Sequence, residues 1–217
     1  MSRQLPPTAS VAEALQDGRL MAPSATNNAA PLCKVLKDVA PRSGRALEIA
    51  SGTGQHSVAF AKTCPNLVWV PTDIDDERLA SIGIYVSEAQ LENLTLPVKL
   101  DATTPGWSQT TGKVDLIVLV NLLHLISEKE ARVVVSEVAQ ALAAGGVFLL
   151  YGPFMRGGEL TSEGDARFHE SLVNSDPDIG YKDDFDVLDW AMEAGLDVAH
   201  MLEMPANNLS LVFRKPE

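Results

Sequence analysis

The string Glu48-Ile49-Ala50-Ser51-Gly52-Thr53-Gly54 places a carboxylate, several small residues and two glycines at the mouth of an apolar run. Small residues let the backbone approach a ligand closely, and a turn leading into a helix offers free N–H donors. A ligand-free β–α turn would look much the same, so the loop by itself is weak evidence. Asp73 lies about 20 residues further on, at the end of the next apolar run, where an acid can accept bonds from both hydroxyls of a ribose. It could instead cap the following helix, a task Asp75 or Asp76 would serve equally well. Asp101 ends a third run, where it or its neighbouring backbone can meet an adenine amino group; its plain reading is a loop aspartate.

Charge sign separates the ligands such a loop might take. A nicotinamide dinucleotide needs its pyrophosphate on the helix N-terminus, usually beneath a third glycine. Here the pattern runs Gly52-x-Gly54-x-x-Ser57, with serine in the third place, and Glu48 opposes a diphosphate. A nucleoside with a sulfonium and an ammonium and no phosphate suits a carboxylate better. S-adenosylmethionine is such a molecule.

The elements that must position these residues alternate in period. Arg45 to Ala50, Leu67 to Pro71, Leu96 to Leu100, Val114 to Val120 and Val147 to Tyr151 read as strands, and helical spacing fills the intervals. The density of Val, Ile and Leu in Val114–Val120 suits a strand covered on both faces. Ser127 with Glu130 fits a capping box, and Gly145-Gly146 is expected to end that helix. Phe168 with Leu172, and Phe185 to Ala194, predict two more helices. Val198 to Met204 and Leu209 to Phe213 flank the short Pro205-Ala206-Asn207-Asn208 segment, which forces them antiparallel. The expectation is a doubly wound, mostly parallel α/β sheet with an antiparallel C-terminal hairpin. Ligands then bind beyond the carboxyl ends of the strands.

Composition bounds the rest. The chain has 217 residues, 46% apolar and 21% charged, which suits one globular domain. Acids outnumber bases 29 to 17, for a formal charge of −12, and no basic run offers a phosphate backbone a face. Nucleic acid is not expected as a partner on those grounds. Val114–Ile126, the longest apolar segment, is interrupted by Asp115, Asn121 and His124 and falls short of the roughly 20 residues needed to span a bilayer. No membrane segment or secretory signal is expected, and Cys33 and Cys64 suit neither a disulfide framework nor a metal site. A cytoplasmic protein is expected, with no metal. Residues 1–20 read as a flexible lead-in to a single domain over 21–217, and Trp107 as a loop residue open to solvent.

Taken together, Glu48–Gly54, Asp73, Asp101 and the terminal hairpin resemble class I S-adenosylmethionine-dependent methyltransferases. More narrowly, the chain resembles the methyltransferase-like 26 family, a domain of unknown function. The segments that carry this are Ala22-Pro23-Ser24-Ala25 with Asn27, Leu47 to His56, Tyr151-Gly152-Pro153-Phe154, and Met204-Pro205-Ala206-Asn207-Asn208 with Val212-Phe213-Arg214. Thr26 and Asn28 stand where the family pattern has charged residues beside that asparagine. The resemblance implies a seven-stranded sheet and methyl transfer. It implies that Glu48, Ala50, Ser51, Gly52 and Gly54 hold the amino-acid part of the donor. Asp73 binds the ribose, with Ile74 also in the cofactor set, and Asp101 with Ala102 borders the adenine. Asn121 faces the methyl group and the acceptor.

A sulfonium already carries an activated leaving group, so the protein mainly supplies alignment and a dry pocket. A base matters where the acceptor must lose a proton, and the candidates are His124, Tyr151 and His56. His124 among Leu122, Leu123 and Leu125 reads more readily as a histidine hydrogen-bonded within packing, and His56 is expected to touch cofactor or backbone. Asn121-Leu122-Leu123-His124 is not the Asn/Asp-Pro-Pro-aromatic string of amino-group methylation, which favours a small-molecule acceptor. Tyr151 and Phe154 are expected to wall the acceptor, with Asn207 and Asn208 bonding it and Arg156 pairing with a carboxylate. Asn27 belongs to a helix that would fold over the site as a lid, or simply pack. The rival readings are a catalytically silent donor-binding module and an NAD-dependent oxidoreductase.

Overall fold

The computed structural model describes residues 5, 6 and 9–217. Residues 1–4 and 7–8 of the expected lead-in lie outside the described residues. Beyond them, β1 (Glu13–Ala14) pairs antiparallel with β2 (Leu20–Met21). Leu20 N donates to Ser81 Oγ at 2.8 Å, and Arg19 binds both Asp17 and Glu88. The sequence reading missed this hairpin because its anchors lie more than sixty residues along the chain.

The remaining elements alternate as expected. They are α1 (Pro23–Val39), β3 (Gly44–Ile49), α2 (Gln55–Thr63), β4 (Leu67–Asp73), α3 (Asp76–Ala89) and β5 (Val98–Lys99). Next come α4 (Trp107–Thr111), β6 (Val114–Val120), a 3-10 turn at Leu123–Leu125, α5 (Glu128–Ala141) and β7 (Leu142–Met155). The chain closes with α6 (Glu163–Ser175), β8 (Lys182–Asp183), α7 (Asp184–Glu193), β9 (Asp197–Glu203) and β10 (Asn208–Arg214).

The sheet order is β5-β4-β3-β6-β7-β10-β9. The first five strands are parallel, while β10 runs antiparallel to both β7 and β9. The expected seven strands form this path, and β8 adds an eighth by pairing with Phe154 and Met155 at the end of β7. Alternation along β6 splits the core in two. Ile117 and Leu119 pack toward α5 and α7, with Phe148, Leu150 and Phe213. Leu116 and Val118 pack toward α1, α2 and α3, with Phe60, Trp69 and Leu149.

Local chemistry sets the element ends. Ser127 and Glu130 form the expected capping box on α5, and Asp75 caps α3 by accepting from Arg78 N at 2.9 Å. Gly145 and Gly146 do not end α5, which stops at Ala141; they lie inside β7 and exchange backbone bonds with Lys215. A Cβ on Gly146 would fall 2.8 Å from Ala143 O, so glycine is required there by crowding. Trp107 is buried rather than open, donating Nε1 to Ala102 O at 3.1 Å.

The chain proceeds from β3 outward to β4 and β5, then returns to place β6 on the other side of β3. That reversal opens a crevice at the carboxyl ends of β3 and β6, where ligands bind in open α/β sheets. Ala50 follows one strand and Asn121 the other.

Candidate functional site

A cleft of about 560 Å³ occupies this crevice, within the ~300–1,000 Å³ of small-molecule sites. Ala50–Thr53 form its floor, α1 contributes Ser24, Asn27 and Asn28, and Asn121, His124 and Tyr151 close the inner end. Ala9–Ala12 form an outer wall. Ala50 and Asn121 both adopt left-handed backbone conformations, with φ of 52° and 56°. Such strain in residues bearing a Cβ costs about 1–3 kcal/mol each and concentrates at ligand sites.

At the loop end, Asp73 is 3% exposed and lies beneath Gly52; it does not itself line the cleft but holds the loop that does. Its Oδ2 accepts from Gly52 N at 2.9 Å and its Oδ1 from Asp75 N at 3.1 Å. A carboxylate has about four acceptor sites, so both oxygens retain capacity for a ligand hydroxyl. Burial pushes this carboxyl above its usual range, against the pull of those backbone N–H groups and of Arg78. Arg78, which sequence reasoning missed, lines the cleft and donates Nη2 to Ser10 Oγ.

Glu48 requires a correction. Its carboxylate does not edge the cleft; it is 2% exposed, with Oε2 accepting from Ser57 Oγ at 2.6 Å and Trp69 Nε1 at 2.9 Å. Burial raises its pKa to about 7, although the bonds from Ser57, Trp69 and Ser51 oppose the rise. Its work is to tie the start of α2 to β3 and β4. Gly54 is also a packing residue: a Cβ there would lie 2.9 Å from Ile82 Cα, at a φ of 97°.

Two further expected cofactor contacts lie elsewhere. Ile74 is 54% exposed and Ala102 is packed in the core, and neither lines the cleft. Asp101 closes its own turn, accepting from Thr103 N at 2.9 Å and from the Thr103 and Thr104 hydroxyls. Burial would raise its pKa, but these bonds win and hold it low. Local spacing brought these residues to strand ends, and short-range hydrogen bonding then consumed them.

The inner end gathers neutral polar groups. Tyr151 is buried, with its hydroxyl between Asn28 and Asn208; burial lifts its pKa and those amide bonds hold it back. Asn28 Oδ1 lies 2.6 Å from His56 Nε2. Burial depresses His56 to a pKa of about 4. His124 is 5% exposed and lines the cleft, and its ring meets no hydrogen-bond partner among the described residues. The packed histidine expected there would have been hydrogen-bonded; this one is only flanked edge-on by Phe168 and Tyr181. Burial, with the nearby Lys182 charge, lowers its pKa to about 3.

Strand parity removes other acceptor candidates. Tyr151 and Pro153 face the cleft, so Phe154 points to the opposite face, into the core. Arg156 donates to Phe154 O and Asn207 O, lies 3.6 Å from Glu203 and does not line the cleft, so it is not placed to meet an acceptor carboxylate there. Asn207 donates to Asp165 Oδ2 at 3.0 Å and turns away from the cleft, whereas Asn208 lines it. Sequence reasoning missed Asn28, Phe168 and Tyr181. Asn28 had a signal, because it sits on the buried stripe of α1 with Ala25, Leu32, Val35 and Val39. Phe168 and Tyr181 arrive by long-range packing and had none.

A separate groove of about 680 Å³ runs over α5 between Pro105 and Arg132, walled mainly by exposed Glu128, Lys129, Arg132 and Ser136. Among the described residues no group of three His, Cys, Asp or Glu is placed to hold a metal, and no helix is long and apolar enough to cross a membrane.

The fold is that of class I methyltransferases. An O-methyltransferase family protein from Burkholderia thailandensis superposes with a TM-score of 0.75 at 16% identity, over 89% of this chain and 59% of that one. Human N-acetylserotonin methyltransferase, solved with S-adenosylmethionine, gives 0.72 at 13% over 88% and 52%. An O-methyltransferase family 2 protein from Planctomyces limnophilus, in complex with apigenin, gives 0.69 at 18% over 90% and 62%. The chain thus spans little more than half the length of these structures. The family described as "Protein of unknown function (DUF938)" matches residues 19–215, and the chain belongs to that family.

Proposed function

We propose that the protein is an S-adenosylmethionine-dependent methyltransferase acting on a small molecule, and within DUF938 a relative of the methyltransferase-like 26 proteins. The observation that carries this reading is the cleft at the strand reversal, floored by Ala50–Thr53 with Asp73 bonded behind Gly52, and with His124 lining its other end without a hydrogen-bond partner among the described residues. The donor fits these residues: the loop offers backbone at close range, Asp73 has acceptor capacity for ribose hydroxyls, and the two strained residues flank the space between. The acidic surface, at −12, further favours a small acceptor over nucleic acid.

Bound there, S-adenosylmethionine supplies a methyl group on an already activated sulfonium. The Ala50–Thr53 loop and Asp73 orient it. Ala9–Ala12 and α1 exclude water from above. Asn121 stands between donor and acceptor ends. His124 would accept the proton that the acceptor loses on taking the methyl group, and would pass it to water. Such a poorly basic imidazole cannot ionise an alcohol beforehand, but it is far more basic than the oxonium formed during transfer.

Calorimetric titration with S-adenosylmethionine, S-adenosylhomocysteine and NAD tests the donor. The first two are expected to bind and NAD is not; the reverse order sinks the reading. Incubation with labelled donor and cell metabolites then separates an enzyme from a silent module.

A further inference from the structure

We propose that the acceptor is an uncharged molecule, selected by an inner cleft that offers it only neutral hydrogen-bonding groups and aromatic surface. This rests on the methyltransferase reading above. Asn28, Asn208 and Tyr151 supply amides and a hydroxyl, His124 an imidazole, and Phe168 with Tyr181 an aromatic wall. Asn28 Oδ1 is engaged by His56 and Asn208 Nδ2 donates to Pro205 O, so Asn208 Oδ1 and the Tyr151 hydroxyl are the groups that best suit a partner able both to donate and accept, such as a hydroxyl.

The charged groups nearest this end are turned away and matched. Arg156, the residue the sequence offered to a carboxylate, is bonded to Phe154 O and Asn207 O and lies beside Glu203. Asp165 accepts from Thr161, Ser162, Tyr181 and Asn207. Lys182 donates to Ile126 O at 2.7 Å and Gly180 O at 2.8 Å. Burial keeps His56 and His124 neutral at physiological pH. Among the described lining residues, only Arg78 is charged at pH 7, and it stands at the donor loop: a Cβ on Gly52 would lie 3.5 Å from its Nη1. A carboxylate, phosphate or ammonium entering the inner end would lose its water and find no counter-ion among the described lining residues there, since Lys182 stands off the lining with its ammonium bonded to two carbonyls; that is costly, whereas a neutral polar group meets partners.

The test separates a cell extract on anion and cation exchangers into acidic, basic and neutral pools, then incubates each with protein and labelled donor. The neutral pool is expected to yield labelled product at least tenfold faster than either other pool. Equal or faster labelling of the acidic or basic pool overturns the proposal and leaves the methyltransferase reading intact. No labelling in any pool, with donor binding seen by calorimetry, overturns both. Leu125→Lys adds a second arm by placing an ammonium on the cleft wall. Labelling of the neutral pool should fall at least tenfold and labelling of the acidic pool should rise, with donor affinity within twofold; an unchanged pool preference counts against the proposal.

Discussion

His56 Nε2 and Asn28 Oδ1, 2.6 Å apart and both buried, join α2, the helix that follows the glycine loop, to α1 inside the protein. A carbonyl oxygen only accepts, so Nε2 carries the proton. The ring is fixed from the other side by stacking on Phe60, with centroids 5.0 Å apart. Gln55, the preceding residue, accepts from Ala22 N at 2.7 Å and donates to Thr26 Oγ1 at 2.9 Å. The start of α1, expected to act as a lid, is therefore pinned to the loop it covers. Asn28→Ala leaves a buried N–H unpaired and should cost about 1–3 kcal/mol. Thermal unfolding should record this as a drop of roughly 2–4 °C per kcal/mol.

Glu48 makes stability depend on pH. Its carboxyl is raised from 4.5 to about 7 by burial, so its stabilising contribution is full below 4.5 and is lost as pH rises through 7. At 1.36 kcal/mol per unit the loss is on the order of 3 kcal/mol. His56 and His124 act in the opposite sense: held neutral to about pH 4 and 3, they withdraw stability as pH falls below 6.5. Glu48→Gln should flatten the decline from pH 4.5 to 7 and expose the acid lability of the histidines, as read by urea midpoints across pH. An unaltered profile would mean that Glu48 is ionised in the folded state.

Asp73 divides into two roles that substitution can separate. Asp73→Asn keeps an oxygen for Gly52 N but sets its NH2 against Asp75 N, and it removes the charge and half of the acceptor capacity. Donor affinity should fall roughly tenfold, since one charged hydrogen bond is worth about 1.5–3 kcal/mol, and the melting temperature should fall less than in Asp73→Ala. Asp73→Ala should lose both affinity and loop order. Full donor affinity in Asp73→Ala would falsify the ribose assignment.

His124→Ala should lower kcat by about 10²-fold or more and leave the donor Kd within twofold, as expected for a group acting on the acceptor's proton. Phe168 from α6 and Tyr181 meet the ring edge-on, with the Lys182 charge from β8 nearby; burial and that charge hold its pKa at about 3. No imidazole limb near pH 6.5 should appear in the rate profile. A limb close to neutrality would belong to Glu48 and should vanish in Glu48→Gln.

Gly54→Ala tests packing against ligand contact. The new Cβ would meet the backbone of α3 at 2.9 Å, in a conformation that L residues rarely adopt. A loss of several degrees in melting temperature is expected even without ligand, because the strain alone costs about 1–3 kcal/mol. Normal stability with lost donor binding would return Gly54 to the cofactor set.

Much of the architecture was legible because it is encoded locally. Period-2 and period-3.6 patterns, the Ser127–Glu130 cap and the turn at Pro205–Asn208 each act over a few residues, and together they dictated a parallel sheet with an antiparallel hairpin. The position of the site followed from that topology, since a reversal beside the first parallel strand opens a crevice wherever it occurs.

What the sequence by itself determined was which residues stand at the ends of strands; which of them face the cleft was decided only in three dimensions. Glu48 and Asp73 read alike as strand-end acids, yet one is enclosed by Ser57 and Trp69 while the other lies under Gly52. Arg156 and Asn207 read as acceptor contacts and instead bond each other and Asp165. Phe168 and Tyr181, without any local mark, came to line the cleft because β8 pairs with the end of β7 and the two rings pack there with Met155. A side chain's direction and its competing partners depend on elements remote in sequence, and hydrogen bonds formed across those distances determine which polar groups remain open to a ligand.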